Sequence, residues 1–80
     1  MQITVLYFAS LREIKGCSTE KLVYPTEITI RELVHILWNE TQLQTVVPFL
    51  RFAVNEEFAT LDTVLVDGDV VAFLPPVGGG

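Results

Sequence analysis

The chain opens on a run in which both alternating sets of positions are apolar. Within residues 2–8, Ile3, Val5 and Tyr7 fall on one side of an extended chain, and Leu6 and Phe8 on the other. This predicts a strand that is either central and covered, or open on one face to a partner. Gly16 marks a turn after a short, poorly patterned stretch. Residues 18–24 alternate weakly toward Leu22 and Tyr24 and predict a second, edge-like strand, which Pro25 ends. Thr29-Ile30-Arg31-Glu32 has the form of a capping box, in which hydroxyl and carboxylate satisfy orphan N–H groups reciprocally. Ile30, Leu33, Val34 and Leu37 follow the i, i+3, i+4, i+7 spacing of one helical face, with Arg31, His35 and Asn39 opposite. The predicted helix begins after Thr29 and ends near residue 41, and Pro48 bars easy continuation. A third strand is expected at 50–54, a turn at Asn55-Glu56-Glu57 and a short strand at 58–60. Asp67-Gly68-Asp69 signals a turn. Val70–Leu74 then reads as the strongest strand, stopped by Pro75-Pro76.

The order strand, strand, helix, strand, strand predicts an α+β domain with the helix packed on one face of the sheet. The last strand is apolar on both faces, like the first. If the two are neighbours, a sizeable apolar surface remains after the helix covers one face. The predicted division is a folded domain at 1–75 and a flexible glycine tail at 76–80.

Size and charge narrow the function. An 80-residue chain makes one domain, and one that small buries only about 60% of its unfolded surface. Cys17 is the single cysteine, so no disulfide assists; it reads as a small half-buried hydrophobe in a reducing compartment. The N-terminus lacks a basic segment before its apolar run, and no run approaches the roughly 18–20 apolar residues of a membrane span. A cytoplasmic protein without a membrane partner is expected. The net charge is −5, and Arg12, Lys15, Lys21, Arg31 and Arg51 are scattered. Nucleic acid is therefore not expected as a partner, because phosphate neutralisation needs a basic patch.

Little conventional chemistry is present. One His and one Cys cannot supply a zinc site. No glycine-rich loop links a strand to a helix, and Ser10, Ser18 and His35 form no nucleophile arrangement. Glu56 and Glu57 read as solvated turn charges. The informative feature is Leu74-Pro75-Pro76-Val77-Gly78-Gly79-Gly80. Two prolines stiffen the exit from the sheet, and three glycines remove every side chain. Residues 75–80 could extend about 20 Å, giving a thin probe that ends in a carboxylate. A free carboxylate is a poor electrophile until adenylation provides a leaving group. A sulfur donor can then displace that group. With no residue after Gly80, the tail is expected to need no proteolytic trimming.

At these residues the chain resembles the small subunits of molybdopterin synthase, which are ubiquitin-like sulfur carriers. Three segments carry the resemblance: Val5-Leu6-Tyr7-Phe8-Ala9-Ser10-Leu11-Arg12-Glu13, Ala53-Val54-Asn55, and Asp67-Gly68-Asp69 onward through Val71-Ala72-Phe73-Leu74-Pro75-Pro76-Val77 to Gly79-Gly80. The middle of the chain, about 17–49, matches in pattern only. The resemblance implies a β-grasp fold, with a mixed sheet of about four to five strands and one main helix in the order ββαββ. It implies no bound cofactor, and adenylation of Gly80 by an E1-like activating enzyme that uses ATP and Mg²⁺. Thiocarboxylation would follow. Val77, Gly78 and Gly79 would then thread into the large subunit of the synthase, in a heterotetramer of two small and two large subunits. There sulfur would pass to cyclic pyranopterin monophosphate to build the molybdopterin dithiolene. Gly79 and Gly80 match the family's terminal pair; Gly78 departs, since Ser or Thr is usual there. Phe8, Phe58, Leu74 and Pro75 match positions that face the large subunit, or alternatively plain core. Two other functions stay open: a sulfur carrier for thiamine or transfer-RNA thiolation, and a β-grasp interaction module without acyl chemistry.

Overall fold

In the computed structural model, which describes residues 1–75, the doubly apolar N-terminal run forms strand β1 (Gln2–Tyr7). Ile3, Val5 and Tyr7 are buried, whereas Leu6 on the other face is half-buried. Strand β7 (Val70–Leu74) repeats the pattern, with Val71 and Phe73 fully buried. The two strands lie side by side and parallel, Val5 opposite Val71 and Tyr7 opposite Phe73. This register places both buried sets on one face, because a shift of one residue would turn them outward. The two doubly apolar strands are thus neighbours, the condition under which the pattern leaves an apolar surface on the uncovered face.

Strand β2 (Thr19–Val23) pairs antiparallel with β1 and is an edge of the sheet, as its weak alternation predicted. Strand β4 (Arg51–Val54) lies antiparallel to β7, and β5 (Glu57–Ala59) pairs with β4 at the other edge. The five-stranded order is β2-β1-β7-β4-β5, a mixed sheet. Glu57 belongs to β5 rather than to the turn before it. A separate two-residue ladder joins β3 (Ile28–Thr29) to β6 (Val64–Leu65).

Helix α2 (Ile30–Leu37) contributes its apolar face to the core on one side of the sheet. Its capping box is formed: Glu32 N–H donates to Thr29 Oγ1 at 3.2 Å, and Thr29 N–H to Glu32 Oε1 at 3.0 Å. Ile30, Leu33, Val34 and Leu37 are all buried against the sheet. Phe73 is the centre of the core. It stacks on Tyr7 with ring centroids 6.0 Å apart and meets Phe52 and Trp38 edge-on at 5.7 and 5.9 Å.

The helix stops earlier than the predicted residue 41. Trp38 is extended, at φ −122° and ψ 137°, and its ring is buried against Tyr7 and Phe73. Asn39, expected on the polar face of a continuing helix, instead caps a new one, α3 (Glu40–Thr45). Its Oδ1 accepts from Gln42 N–H at 2.9 Å, and Gln42 Oε1 accepts from Asn39 N–H at 3.0 Å. Burial of one indole and a second capping box together outweigh a few more helical hydrogen bonds. A 3₁₀ turn over Val47–Phe49 accommodates Pro48.

Helix α1 (Ser10–Lys15) was not predicted, because it has six residues and buries only Leu11. Gly16 closes it in the left-handed region at φ 78°, its N–H donating to Arg12 O at 2.8 Å. Lys15 Nζ donates to the Leu37 carbonyl at the end of α2 and lies 5.1 Å from the centre of the Trp38 ring. A cation there complements the negative end of the helix. The α+β, β-grasp class expected from the sequence is the one observed. Among the described residues, no helix is long and apolar enough to cross a membrane.

Candidate docking face

The face of the sheet away from α2 is built by the residues between the core positions. Leu6 stands opposite Ala72, Ala72 opposite Ala53, and Ala53 opposite Phe58. Two alanines at the centre of a sheet leave a hollow that larger side chains would fill. Leu6, Phe8, Ala53, Val70 and Ala72 accordingly line an open groove of about 440 Å³, with Asn55 and Glu56 on its rim. Phe8 is 43% exposed and Phe58 79%. By register Leu74 shares this face, opposite Arg51. Three residues matched to an interface, Phe8, Phe58 and Leu74, are therefore outward-facing rather than core. Pro75 lines a different cleft, with Leu11, Ile14, Val46, Phe49 and Leu50. Residues Val77, Gly78, Gly79 and Gly80 lie outside the described residues.

A polar network fixes one end of the groove. Asn55 N–H donates to Val70 O at 2.9 Å, and Val70 N–H to Asn55 Oδ1 at 3.0 Å. Asn55 Nδ2 donates to Asp69 Oδ1 at 2.9 Å, while Asp69 Oδ2 accepts from Val66 N–H at 2.9 Å. Asp69 is buried, so its carboxylate needs these partners. Gly68, at φ 89°, lets this turn donate back to Gln2 O at 2.8 Å. The network clamps the β4–β5 turn onto the start of β7. The sequence showed Asn55 and Asp69 only as turn residues; an Asn in a hairpin turn, able to bond its own backbone surroundings, was the available signal.

Backbone strain gathers around the groove. Among the described residues, the non-glycine residues at positive φ are Ala9 (51°), Asn55 (51°) and Glu56 (72°). Ala9 follows Phe8, and the other two are on the rim. Asn tolerates this region, whereas at Ala9 and Glu56 it costs of order 1–3 kcal/mol, a strain that concentrates at functional sites.

On the covered face one ionisable group is strongly perturbed. Burial, then the hydrogen bond to Glu20 Oε1 at 2.7 Å, pushes the Tyr7 phenol far above its ordinary value, keeping it neutral. Among the described residues, no three His, Cys, Asp or Glu side chains converge as a metal site would require. Cys17 is half-buried and His35 exposed.

A five-stranded β-grasp sheet with one face under a helix and the other an open apolar groove defines a small docking domain. The comparisons specify it further: residues 5–80 match the ThiS family, and the chain belongs to that family. It is 37% identical to the human molybdopterin synthase sulfur carrier subunit, over 99% of this chain and 94% of the relative. It is 36% identical to the subunit of the same name from Escherichia coli K12, over 98% and 99%. Among solved structures, a complex of subunits 1 and 2 of the molybdopterin-converting factor from Helicobacter pylori contains a chain matching at TM-score 0.69 and 28% identity. That match covers all of both chains.

Proposed function

We propose that this protein is the sulfur carrier subunit of a molybdopterin synthase, with the C-terminal carboxylate of Gly80 as its reactive group. The observation that carries the reading is the end-to-end likeness to sulfur carrier subunits of that name in two distant organisms. The chemistry follows from the tail. At neutral pH an α-carboxyl is anionic and unreactive, its reference pKa lying near 3.3–3.7. An E1-like enzyme would bring ATP and Mg²⁺. The Gly80 carboxylate attacks the α-phosphorus, pyrophosphate leaves, and the acyl-adenylate forms. A sulfur nucleophile at the oxidation level of hydrosulfide then attacks the carbonyl and displaces AMP, leaving a thiocarboxylate.

The carrier next docks its open face on the large subunit. Val77, Gly78 and Gly79 thread to the acceptor, cyclic pyranopterin monophosphate. Holding the thiocarboxylate beside its target can lower the barrier by up to roughly 7–11 kcal/mol in ideal cases. Phe8, Phe58 and Leu74 supply the apolar docking surface, and Pro75 stiffens the root of the tail. An assembly of two small and two large subunits, located in the cytoplasm, completes the reading.

Intact mass tests the central step. Incubated with the activating enzyme, ATP and a sulfur donor, the wild type should gain one oxygen-to-sulfur exchange. A variant lacking Gly80 has its carboxylate drawn back by about 3.5 Å and should show no exchange while folding normally. An unchanged wild-type mass, where a control carrier reacts, would overturn the proposal.

A further inference from the structure

The groove on the open face is apolar except at one rim, where Asn55 and Glu56 stand. These two differ in what they have left to offer. Asn55 is committed: its amide oxygen accepts from Val70 N–H and its amide nitrogen donates to Asp69. The Glu56 carboxylate has no hydrogen-bond or ion-pair partner among the described residues, and the ion pair found there, Arg31–Asp62, involves neither rim residue. Glu56 is thus the single charged group lining the groove, and its charge is unspent.

Its backbone is a second observation. Glu56 holds φ 72° in the two-residue turn between β4 and β5, with Asn55 before it at 51°. Tight hairpin turns of this kind favour Asn followed by Gly, since the second residue is strained by any Cβ. Folding alone would favour glycine at 56. The turn is moreover clamped to β7 through Asn55, so the backbone that carries Glu56 is held at the rim of the groove that Phe8 and Val70 also line.

We infer that Glu56 is a specificity-determining contact of the docking face, pairing with an arginine or lysine that the large subunit places at the edge of its apolar patch. This rests on the carrier reading above and deepens it. The apolar groove supplies contact area but no orientation, because apolar contact is non-directional. A single charge at one end sets which way round the partner sits and penalises a partner that presents an acid there. The strain at Glu56 is retained for this contact.

The test is titration of the purified large subunit with the full-length carrier at low and high ionic strength. E56Q removes the charge at nearly constant shape. It should weaken binding about three- to tenfold at low salt and flatten the salt dependence, because charged rim contacts act through long-range attraction. E56K should weaken binding further. E56G should leave the melting temperature equal or higher, since the turn relaxes, yet lose the same affinity as E56Q. E56Q affinity within twofold of the wild type, with unchanged salt dependence, would overturn the inference while leaving the carrier reading intact. Failure of the wild type itself to bind the large subunit would overturn that reading, and this inference with it.

Discussion

On the helix-covered face of the sheet, Tyr7, Phe73 and Phe52 stand side by side and leave almost no exposed surface. On the opposite face, the residues one step along the same strands are Leu6, Ala72 and Ala53, and they leave a hollow. Both sets are apolar, yet only one contributes a closed core. A domain of this size has little stability to spare. Keeping a second apolar face against water is therefore a cost that folding alone does not explain, and contiguous exposed apolar surface marks a partner site. The comparison teaches that side-chain size, rather than polarity, separates the two faces. At the centre of the sheet large rings fill the inner face and alanines hold the outer one open, with Phe8 and Phe58 toward its margins.

The largest effect should come from breaking the inner face. Phe73→Ala removes the ring on which Tyr7, Trp38 and Phe52 all converge. A loss of about 3–5 kcal/mol is expected, read as a lowered denaturant midpoint. Phe58→Ala removes a ring of the same size from the outer face, where it is 79% exposed. That change should stay within about 0.5 kcal/mol. Equal losses at the two positions would erase the distinction between the faces.

A smaller effect probes the hydrogen-bonded polar atom of the inner aromatic cluster, whose other polar atom, the buried Trp38 Nε1, has no partner among the described residues. The Tyr7 phenol is buried and bonded to Glu20, which raises its pKa in the fold above the usual value near 10. A raised acid pKa means that the folded state holds its proton where the unfolded chain has lost it. Its contribution is complete below about pH 10 and is lost as pH rises above that value. Wild-type stability should therefore fall above pH 10. Tyr7→Phe should cost about 1 kcal/mol at pH 7 through the lost hydrogen bond and leave a shallower alkaline limb. An alkaline limb of the same slope in both proteins would show that ionisation of another group drives it.

How much of this was legible in the sequence depended on whether a signal repeated. The parity of β1 and β7 repeats over five or six residues, so both faces could be read from Ile3, Val5, Tyr7, Val71 and Phe73, whereas their adjacency is a tertiary fact. The α2 face was equally plain from Ile30 to Leu37. The end of α2 was misread because no proline or glycine follows it before Pro48, while the destination of the Trp38 ring beside Tyr7 and Phe73 depends on residues remote in sequence. The ladder of β3 and β6 is two residues long and has no period to detect. At the docking face, Phe8 and Leu74 were within reach of pattern and resemblance. Ala53 and Ala72 were not, because an alanine announces nothing until its register shows that it faces another alanine. Glu56 was read as solvated, and its exposure bears that out. Its place on the groove rim is a tertiary fact.

An effect on stability as small as that of Phe58→Ala, but the one most diagnostic for docking, is expected from Leu74→Glu. Leu74 ends β7 half-buried on the outer face, directly opposite Arg51 of β4. A carboxylate placed there would face the Arg51 guanidinium across the strand pair. Oppositely charged cross-strand pairs contribute roughly 0.2–1 kcal/mol, which offsets the apolar contact the leucine loses. The melting temperature should consequently move by only a few degrees in either direction. Docking should respond differently, because the large subunit would have to bury a charge at the border of an apolar patch. Desolvating that carboxylate together with Arg51 costs more than their attraction returns, so binding should weaken by about tenfold or more. Thermal unfolding and large-subunit titration on one preparation read both quantities. Unfolding of the variant would place Leu74 in the core and remove it from the docking face. Unchanged binding by a folded variant would confine the contact surface to the groove around Phe8, Ala53 and Ala72.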